Sequence, residues 1–138
     1  AVAAARRLYH LPYFHADMRL RHVDGSIHYH SQRTHRGAPA AAFTGQYAAC
    51  GDVYLSQPGS LEHWLTERYA LFTTDRRGRI YRGDIHHTPW PLQAAEAEIA
   101  INTMTHPHGI KLPDTRPLLH LAQRIEVAVW PLQRVDAT

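Results

Sequence analysis

Polar and apolar residues alternate along the first part of the chain, after a short helical segment. Residues 1–9 are rich in alanine, arginine and leucine, which favour a helix, and Pro12 ends it. Beyond the proline, the apolar residues Phe14, Ala16, Met18 and Leu20 alternate with the polar residues His15, Asp17, Arg19 and Arg21. This period of two predicts a strand with one apolar and one polar face. Asp24-Gly25 predicts a type I′ turn, because that turn needs a positive φ at both positions, and residues 27–33 form the return strand.

The middle of the chain predicts a further strand, a short helix and a second hairpin. Residues 43–51 suggest a strand that ends near a glycine. Ser60 is the predicted N-cap of a helix whose apolar side consists of Leu61, Trp64 and Leu65. Residues 69–74 and 79–87 form the two strands of the hairpin, because the turn between them begins with aspartate and ends with glycine, as a type I turn prefers.

Two later segments complete a predicted α+β fold dominated by antiparallel sheet. Residues 94–102 have the composition of a helix, yet they alternate apolar and polar side chains, and the pattern favours a strand over the propensity. Residues 118–130 predict one long closing strand with an aliphatic face formed by Leu119, Leu121, Ile125, Val127 and Val129. The whole chain then has about seven strands and two short helices.

The composition indicates a soluble intracellular protein. A length of 138 residues fits one domain, so we expect residues 1–138 to fold as a single unit. No uncharged stretch reaches the roughly 18 residues that a membrane span needs. The single cysteine, Cys50, excludes an internal disulfide and fits the reducing cytoplasm. Of the 15 basic residues, only Lys111 is a lysine, and the net charge is +3.

Twelve histidines raise the question of a metal site. His28 and His30 are two residues apart on a predicted strand, so their side chains share a face. The hairpin register places Arg21 opposite His28 and Arg19 opposite His30. A divalent cation there would face two guanidinium groups that cannot lose their charge, and no zinc-type spacing of cysteine or histidine occurs elsewhere. We therefore expect neither a metal nor another cofactor.

Several other chemistries lack their motifs. The sequence contains no G-x-S-x-G and no glycine-rich phosphate loop, and Cys50 has no neighbouring base in sequence. The densest basic run, residues 76–79, lies at a predicted hairpin tip, where solvated charge is common. Elsewhere arginines are interleaved with acids, so we do not expect nucleic acid to be the partner.

One polar constellation could form a ligand-binding cavity. His87 shares a predicted strand face with Tyr81 and Ile85, and Glu96 and Glu98 lie on the next strand. On the closing strand, the face opposite the aliphatic one carries His120, Arg124 and Glu126. These groups could bind a small anionic or carbonyl compound through charge-assisted hydrogen bonds. The alternative is that the acids and Arg124 form ion pairs on a solvated sheet face.

Four segments together resemble one known family. They are AARRLYHLPYFHADM, PGSLEHWLTERYALF, RGRIYRGDIHHTPWPLQAAEAEIAINTM and LLHLAQRIEVAVWPLQ, and they closely resemble the YqjF-like family of uncharacterised conserved proteins. The resemblance covers nearly the whole chain and is most specific in LTERY and HHTPWPLQ. That family has a further N-terminal half, so the resemblance implies that this chain corresponds to the C-terminal portion of a longer domain.

The family is similar in fold to acetoacetate decarboxylase, which implies a sheet curled into part of a barrel around an internal cavity. In that enzyme a helix is followed by Pro-Lys-Lys, and one lysine forms a Schiff base because its cationic neighbour lowers its pKa. Here Pro12 is kept, but Tyr13 and Phe14 replace the lysines, and neither side chain can form an imine. Lys111 lies in a predicted loop without an adjoining cation. The resemblance therefore implies the scaffold without Schiff-base decarboxylation.

The leading hypothesis is a small-molecule-binding cavity protein whose ligand contacts are Tyr13, His87, His120 and Arg124. The second is an enzyme acting on a small carbonyl or carboxylated compound, with His87 or Glu96 as general base and Arg124 holding the anion. A third is an interaction module that uses the arginine-rich hairpin tips. If a further half completes the barrel, this chain alone would expose sheet edges and apolar surface and would tend to form homo-oligomers.

Overall fold

The computed structural model describes residues 2–135 and has an α+β fold with mostly antiparallel sheets. Helix α1 is Val2–Leu8 and helix α2 is Leu61–Thr66, and His106–His108 form one turn of 3-10 helix. Ala1, which the helix prediction included, lies outside the described residues. The strands within them are β1 (Ala16–Val23), β2 (Ser26–Arg33), β3 (Ala42–Tyr54), β4 (Ala70–Thr74), β5 (Ile80–His87), β6 (Leu92–Asn102), β7 (His120–Leu121), β8 (Val127–Val129) and β9 (Gln133–Arg134).

These elements belong to two compact units. Within the described residues, the first unit consists of residues 2–13, Val53–Leu92 and residues 122–135, and the second unit consists of Phe14–Asp52 and Gln93–Leu121. No helix among residues 2–135 combines the length and the apolar character that crossing a membrane requires.

The second unit contains most of a five-stranded sheet in the order β1-β2-β3-β6-β7. Its first hairpin confirms the predicted turn and register: Asp24 and Gly25 have φ values of 48° and 81°. Arg21 pairs with His28, and Arg19 pairs with His30. The predicted strand at residues 94–102 is also confirmed, since β6 includes it. Strand β3 runs three residues beyond Gly51, to Tyr54, so it is longer than predicted.

The first unit contains the β4–β5 hairpin, with β8 and β9 each paired antiparallel to β5. The predicted N-cap is confirmed, because the Ser60 hydroxyl accepts a hydrogen bond of 3.1 Å from the His63 backbone N–H. The turn of the hairpin is held by Asp75, whose carboxylate accepts from the backbone N–H groups of Arg77 and Arg79 at 2.9 and 3.0 Å.

The single long closing strand predicted for residues 118–130 is wrong. The structure divides the segment into β7, which pairs with β6, and β8, which pairs with β5. Residues 122–126 lie outside any strand. Of its aliphatic residues, Leu121 lies on β7 and Val127 and Val129 lie on β8, whereas Leu119 and Ile125 lie outside the strands. Arg124 and Glu126 do not lie on a common strand face with His120.

Burial is sparse across residues 2–135. The buried hydrophobic residues there are Ala41 and Leu92, each 3% exposed. The predicted apolar side of α2 faces solvent, with exposed fractions of 50% for Leu61, 62% for Trp64 and 54% for Leu65. The Arg68 guanidinium lies 4.0 Å from the centre of the Trp64 ring and covers part of it. The rest of this apolar surface is exposed.

The hairpin turn generates a prediction about acid stability. Burial of the Asp75 carboxyl raises its pKa, but hydrogen bonds from the Arg79 side chain and from the backbone of Arg79 and Arg77 outweigh burial and hold the pKa well below its usual value. A carboxyl whose pKa is lower in the folded state stabilises the fold above its unfolded pKa of about 4, and this stabilisation is lost as the pH falls toward the folded pKa. Asp75→Asn should therefore lower the thermal midpoint at neutral pH, and its deficit should shrink below about pH 4.

Asp84→Asn is the matched control, because Asp84 forms a 2.8 Å ion pair with Arg82 in which both side chains are about half exposed. We expect it to leave the midpoint nearly unchanged at neutral pH. Circular dichroism melts of both variants between about pH 2 and 7 make the comparison. An Asp75→Asn deficit that stays constant with pH would contradict the assigned role.

Candidate functional site

One face of the five-stranded sheet carries the polar side chains of the β1–β2 hairpin. Directly paired residues of antiparallel strands project to the same side of a sheet, and so do residues two apart on one strand. The pairs of Arg21 with His28 and of Arg19 with His30, which join β1 to β2, therefore share one face with the pairs that continue them from β2 to β3. In the second of these sets, His28 pairs with Gln46 and His30 with Thr44. The hairpin register therefore extends into a polar row across three strands.

A groove of about 780 Å³ lies over this face and entirely within the second unit. Its lining comprises Arg19, Arg21, His28, Tyr29, His30, Thr44, Gly45, Gln46, Glu98, Ile99 and Ala100. We call it the arginine–histidine groove. Its volume is in the range of about 300–1,000 Å³ that is typical of small-molecule sites.

Two side-chain hydrogen bonds fix groups inside the groove. The Nδ1 atom of His30 lies 2.9 Å from the Thr44 hydroxyl oxygen, which orients the ring and leaves Nε2 as its other polar atom. The Gln46 amide donates to a carboxylate oxygen of Glu98 at 2.6 Å. This bond joins β3 to β6 and places an acid at the far end of the polar row.

The basic side chains of the groove differ in whether they have a partner within the chain. Arg19 forms a 3.3 Å ion pair with Asp17, and both side chains are more than half exposed. The side chains of Arg21 and His28, by contrast, have no hydrogen-bond partner among residues 2–135. Arg21 therefore offers a guanidinium fork whose donors are available to a ligand, and an anion is the ligand that such a fork binds best.

The Asp24-Gly25 turn predicts this register, in which two guanidinium groups oppose the binding of a metal cation. Within the described chain, no group of three or more histidine, cysteine, aspartate or glutamate side chains is arranged to hold one. The same juxtaposition of arginine and histidine suits an anion. The alternation of residues 19–21 and 28–30 was the signal that could have indicated the groove, together with the Asp24-Gly25 turn.

His87 lies in the first unit and is buried, with 6% of its surface exposed. Its Nδ1 is 2.8 Å from the carbonyl oxygen of Thr88, and its Nε2 is 3.2 Å from that of Arg68. Carbonyl oxygens only accept, so a neutral ring with one N–H satisfies one of these contacts and a doubly protonated ring satisfies both. Action as a general base would require one contact to break.

The surroundings of His87 bring together the two most specific segments of the family resemblance. The Tyr69 ring stacks on His87 with centroids 4.7 Å apart, and the Trp90 ring meets it edge-on at 6.0 Å. Tyr69 donates a hydrogen bond to Glu67, whose other carboxylate oxygen is 3.5 Å from the Trp90 backbone nitrogen. LTERY supplies the glutamate and tyrosine of this cluster, and HHTPWPLQ supplies its histidine and tryptophan.

The cluster shifts the acidity of two of its members. The hydrogen bond from Tyr69 is the main cause that lowers the pKa of the Glu67 carboxyl, helped by the Trp90 backbone and the nearby His87 and His63. The same bond, with burial, raises the pKa of the Tyr69 phenol. Glu67 therefore stays ionised beside His87. In the same cluster, the buried indole N–H of Trp90 has no hydrogen-bond partner among the described residues.

The remaining predicted site residues are spread over both units. Tyr13 is 52% exposed in the first unit, where Arg124 also lies, and Arg124 pairs with Glu126 at 2.6 Å in full solvent contact. Glu96 and His120 belong to the second unit. His120 pairs with Ala94, and Glu96 is exposed on the same face of β6 as Ala94. Glu96 also lines a smaller cavity of about 380 Å³, whose lining includes Gln46 and Glu98 of the groove. The ligand-binding and catalytic roles of all these residues stay predictions.

Comparison with known proteins identifies relatives without a described activity. The family DUF2071, an uncharacterized conserved protein, matches residues 1–126. Uncharacterized protein YqjF of Bacillus subtilis (strain 168) is 47% identical over 134 residues, which cover 97% of this chain and 54% of that protein. The chain thus spans about half the length of the curated relative it matches. No solved structure matches it.

The packing of His87 predicts a large structural cost for its removal. His87→Ala should lower the free energy of unfolding by roughly 2–4 kcal/mol, because it leaves a cavity beside Tyr69 and removes the polar partner of two carbonyl groups. His86→Ala is the matched control, since its side chain is exposed on the same strand, and should change the free energy by less than about 0.5 kcal/mol. Urea unfolding followed by circular dichroism measures both, and equal losses would contradict the buried role.

Proposed function

The chain belongs to DUF2071, a family of uncharacterized conserved proteins, and on that premise we propose that it binds a small anionic molecule in the arginine–histidine groove. The observation that carries the proposal is Arg21, a guanidinium in the groove without a partner among residues 2–135. His28 lies directly opposite Arg21 in the hairpin register, and its side chain likewise has no hydrogen-bond partner among residues 2–135. The two side chains can donate to the same anion from adjacent strands.

The chemistry of the groove favours a carboxylate over an uncharged ligand. A guanidinium donates two parallel hydrogen bonds to a carboxylate, and each charge-assisted bond contributes about 1.5–3 kcal/mol. His30 adds a ring whose orientation the Thr44 hydroxyl fixes. Ala100 lines the groove on the same strand face as Glu98, and its methyl group would contact the carbon skeleton of the ligand.

We further propose that the scaffold is of the acetoacetate decarboxylase type but binds its ligand without covalent chemistry. Support comes from the residues after α1, where Tyr13 and Phe14 stand in place of the enzyme's lysines. An arginine cannot replace them, because its guanidinium stays charged and is not an amine nucleophile. The partial barrel, the single domain and the correspondence to the C-terminal portion of a longer domain belong to this same proposal.

Further proposals concern the location of the chain, its self-association and its other candidate site residues. The single cysteine supports a cytoplasmic location. Exposed apolar side chains in both units support self-association of the chain. The residues Tyr13, His87, His120 and Arg124 remain additional ligand contacts to test, and Glu96 remains a candidate base should a reaction be found.

Anion binding should depend on Arg21. Arg21→Gln removes the unpaired guanidinium from an exposed position, so the fold should persist while the affinity for small carboxylates falls roughly tenfold or more, the equivalent of one charge-assisted hydrogen bond. Isothermal titration calorimetry with a panel of short-chain mono- and dicarboxylates measures the dissociation constants.

Arg76→Gln is the matched control, because it removes the same charge from the exposed tip of the β4–β5 hairpin in the other unit. It should leave the affinity unchanged. If both variants weaken binding equally, the effect is one of net charge and the groove is not the site. If no carboxylate of the panel binds the parent chain, the proposed function is wrong.

If the chain forms no imine, borohydride should trap no covalent adduct between it and a keto acid. Incubation of the chain with acetoacetate and sodium borohydride, followed by intact mass spectrometry, should give no adduct. Lys111 is the single lysine of the sequence, so an adduct located on it by peptide mapping would contradict the proposal. Acetoacetate decarboxylase treated in parallel verifies that the trapping works.

A further inference from the structure

We infer that the ligand of the arginine–histidine groove is a carboxylate that also carries a hydroxyl or ammonium group, and that this second group donates to Glu98. The inference rests on the proposed function, because it assumes that Arg21 and His28 hold the carboxylate. It adds the chemical class of the ligand and its direction in the groove.

The polar row across the sheet has donors at one end and acceptors at the other. Arg21 pairs with His28, and His28 pairs with Gln46. The Gln46 amide then donates to Oε2 of Glu98 at 2.6 Å. Within one row the groove therefore runs from a cation on β1 to an anion on β6, and a ligand lying along it meets opposite requirements at its two ends.

Glu98 still has acceptor capacity after its bond to Gln46. An ionised carboxylate only accepts hydrogen bonds and has about four lone-pair sites. Among residues 2–135 the Gln46 amide is its hydrogen-bond donor, so its Oε1 atom is unoccupied by the described chain. A ligand without a donor would leave this oxygen without a partner, and a second negative charge on the ligand would be repelled by it.

The spacing of the strands sets the size of the ligand. Adjacent strands are about 4.8 Å apart, so a carboxylate over His28 and a donor over Gln46 or Glu98 are separated by about one to two strand spacings, or 5–10 Å. An open chain of four to six carbon atoms spans that distance. Ala100, two residues from Glu98 and on the same strand face, offers apolar contact at that end of the groove.

The charge pattern argues against a polyanionic partner. A nucleic-acid backbone presents successive phosphates and no cationic group, so it would place a negative charge against Glu98. A dipolar small molecule uses both ends of the row.

Three acids of equal length test the inference: hexanoate, its terminal-hydroxyl derivative and its terminal-amine derivative. The parent chain should bind at least one of the two derivatives roughly tenfold more tightly than hexanoate, because a charge-assisted hydrogen bond to Glu98 is worth about a factor of ten or more. Glu98→Gln should reduce that preference to less than about threefold while leaving the affinity for hexanoate within a factor of two. Calorimetric dissociation constants provide the readout.

Asp52→Asn serves as the matched control, because Asp52 is an exposed acid on β3 of the same unit but does not line the groove. It should retain the full preference, and thermal melts of both variants verify that the fold is intact. Should Glu98→Gln fail to fold, Gln46→Leu removes the partner that orients Glu98 and should also weaken the preference.

The possible outcomes separate this inference from the proposed function. Equal binding of the three acids, lost in Arg21→Gln, overturns the role of Glu98 and leaves anion binding in place. A preference that survives Glu98→Gln also overturns it. Failure of all three acids to bind overturns both.

Discussion

The two-residue turn at Asp24-Gly25 determines which side chains of the second unit share a face. Both residues have positive φ values, 48° and 81°, and the twist of this turn matches the twist of the flanking strands. Val23 and Ser26, on either side of the turn, therefore pair with each other. Side chains alternate along a strand with a period of two, so a shift of one residue would move each of them to the other face. The turn therefore places Arg21 beside His28, and pairing of β2 with β3 extends the same row to Gln46. A non-glycine side chain at position 25 would oppose this conformation.

A second constraint, the close approach of β3 and β6, completes the row. A Cβ atom at Gly45 would lie 2.9 Å from the backbone carbonyl oxygen of Glu98, closer than side chains come in folded proteins. The missing side chain lets the two strands approach, and the neighbouring Gln46 then reaches Glu98. The groove is thus positioned by backbone pairing. It does not depend on a deep core, which residues 2–135 do not contain: on the opposite face Met18 and Leu20 remain 63% and 53% exposed.

Local patterns predicted much of this fold, and long-range competition explains what they missed. The Asp24-Gly25 turn, the Ser60 cap and strand β6 each follow from residues close together in sequence, and each is confirmed. The prediction of one closing strand at residues 118–130 failed because the alternation there is compatible with one strand or with two. Only the partners available on β5 and β6 divide it into β8 and β7. That choice depends on residues more than 25 positions away, so no window of the sequence contains it.

The candidate site also combines a local part that the sequence predicted with a long-range part that it did not. Arg21 and His28 were correctly paired from the turn, whereas Glu98 joins them through a hydrogen bond between β3 and β6 that the sequence does not reveal. His87 was predicted to point inward, and it is buried, but its two ring nitrogens face backbone carbonyls. Burial alone therefore did not distinguish a ligand contact from a structural histidine. The atoms around the ring distinguish them.

The excess of arginine over lysine bears both on the groove and on the proposed absence of imine chemistry. A lysine can lose its proton when buried or when it lies beside another cation, and it then attacks carbonyl carbons. A guanidinium keeps its charge, and its planar fork matches the two oxygens of a carboxylate. Arg21, unpaired and opposite a histidine, is suited to reversible recognition of an acid, and Tyr13 and Phe14 offer no amine near α1. The arginine bias and the geometry of the groove thus agree with the proposed binding of an acid by charge and hydrogen bonds.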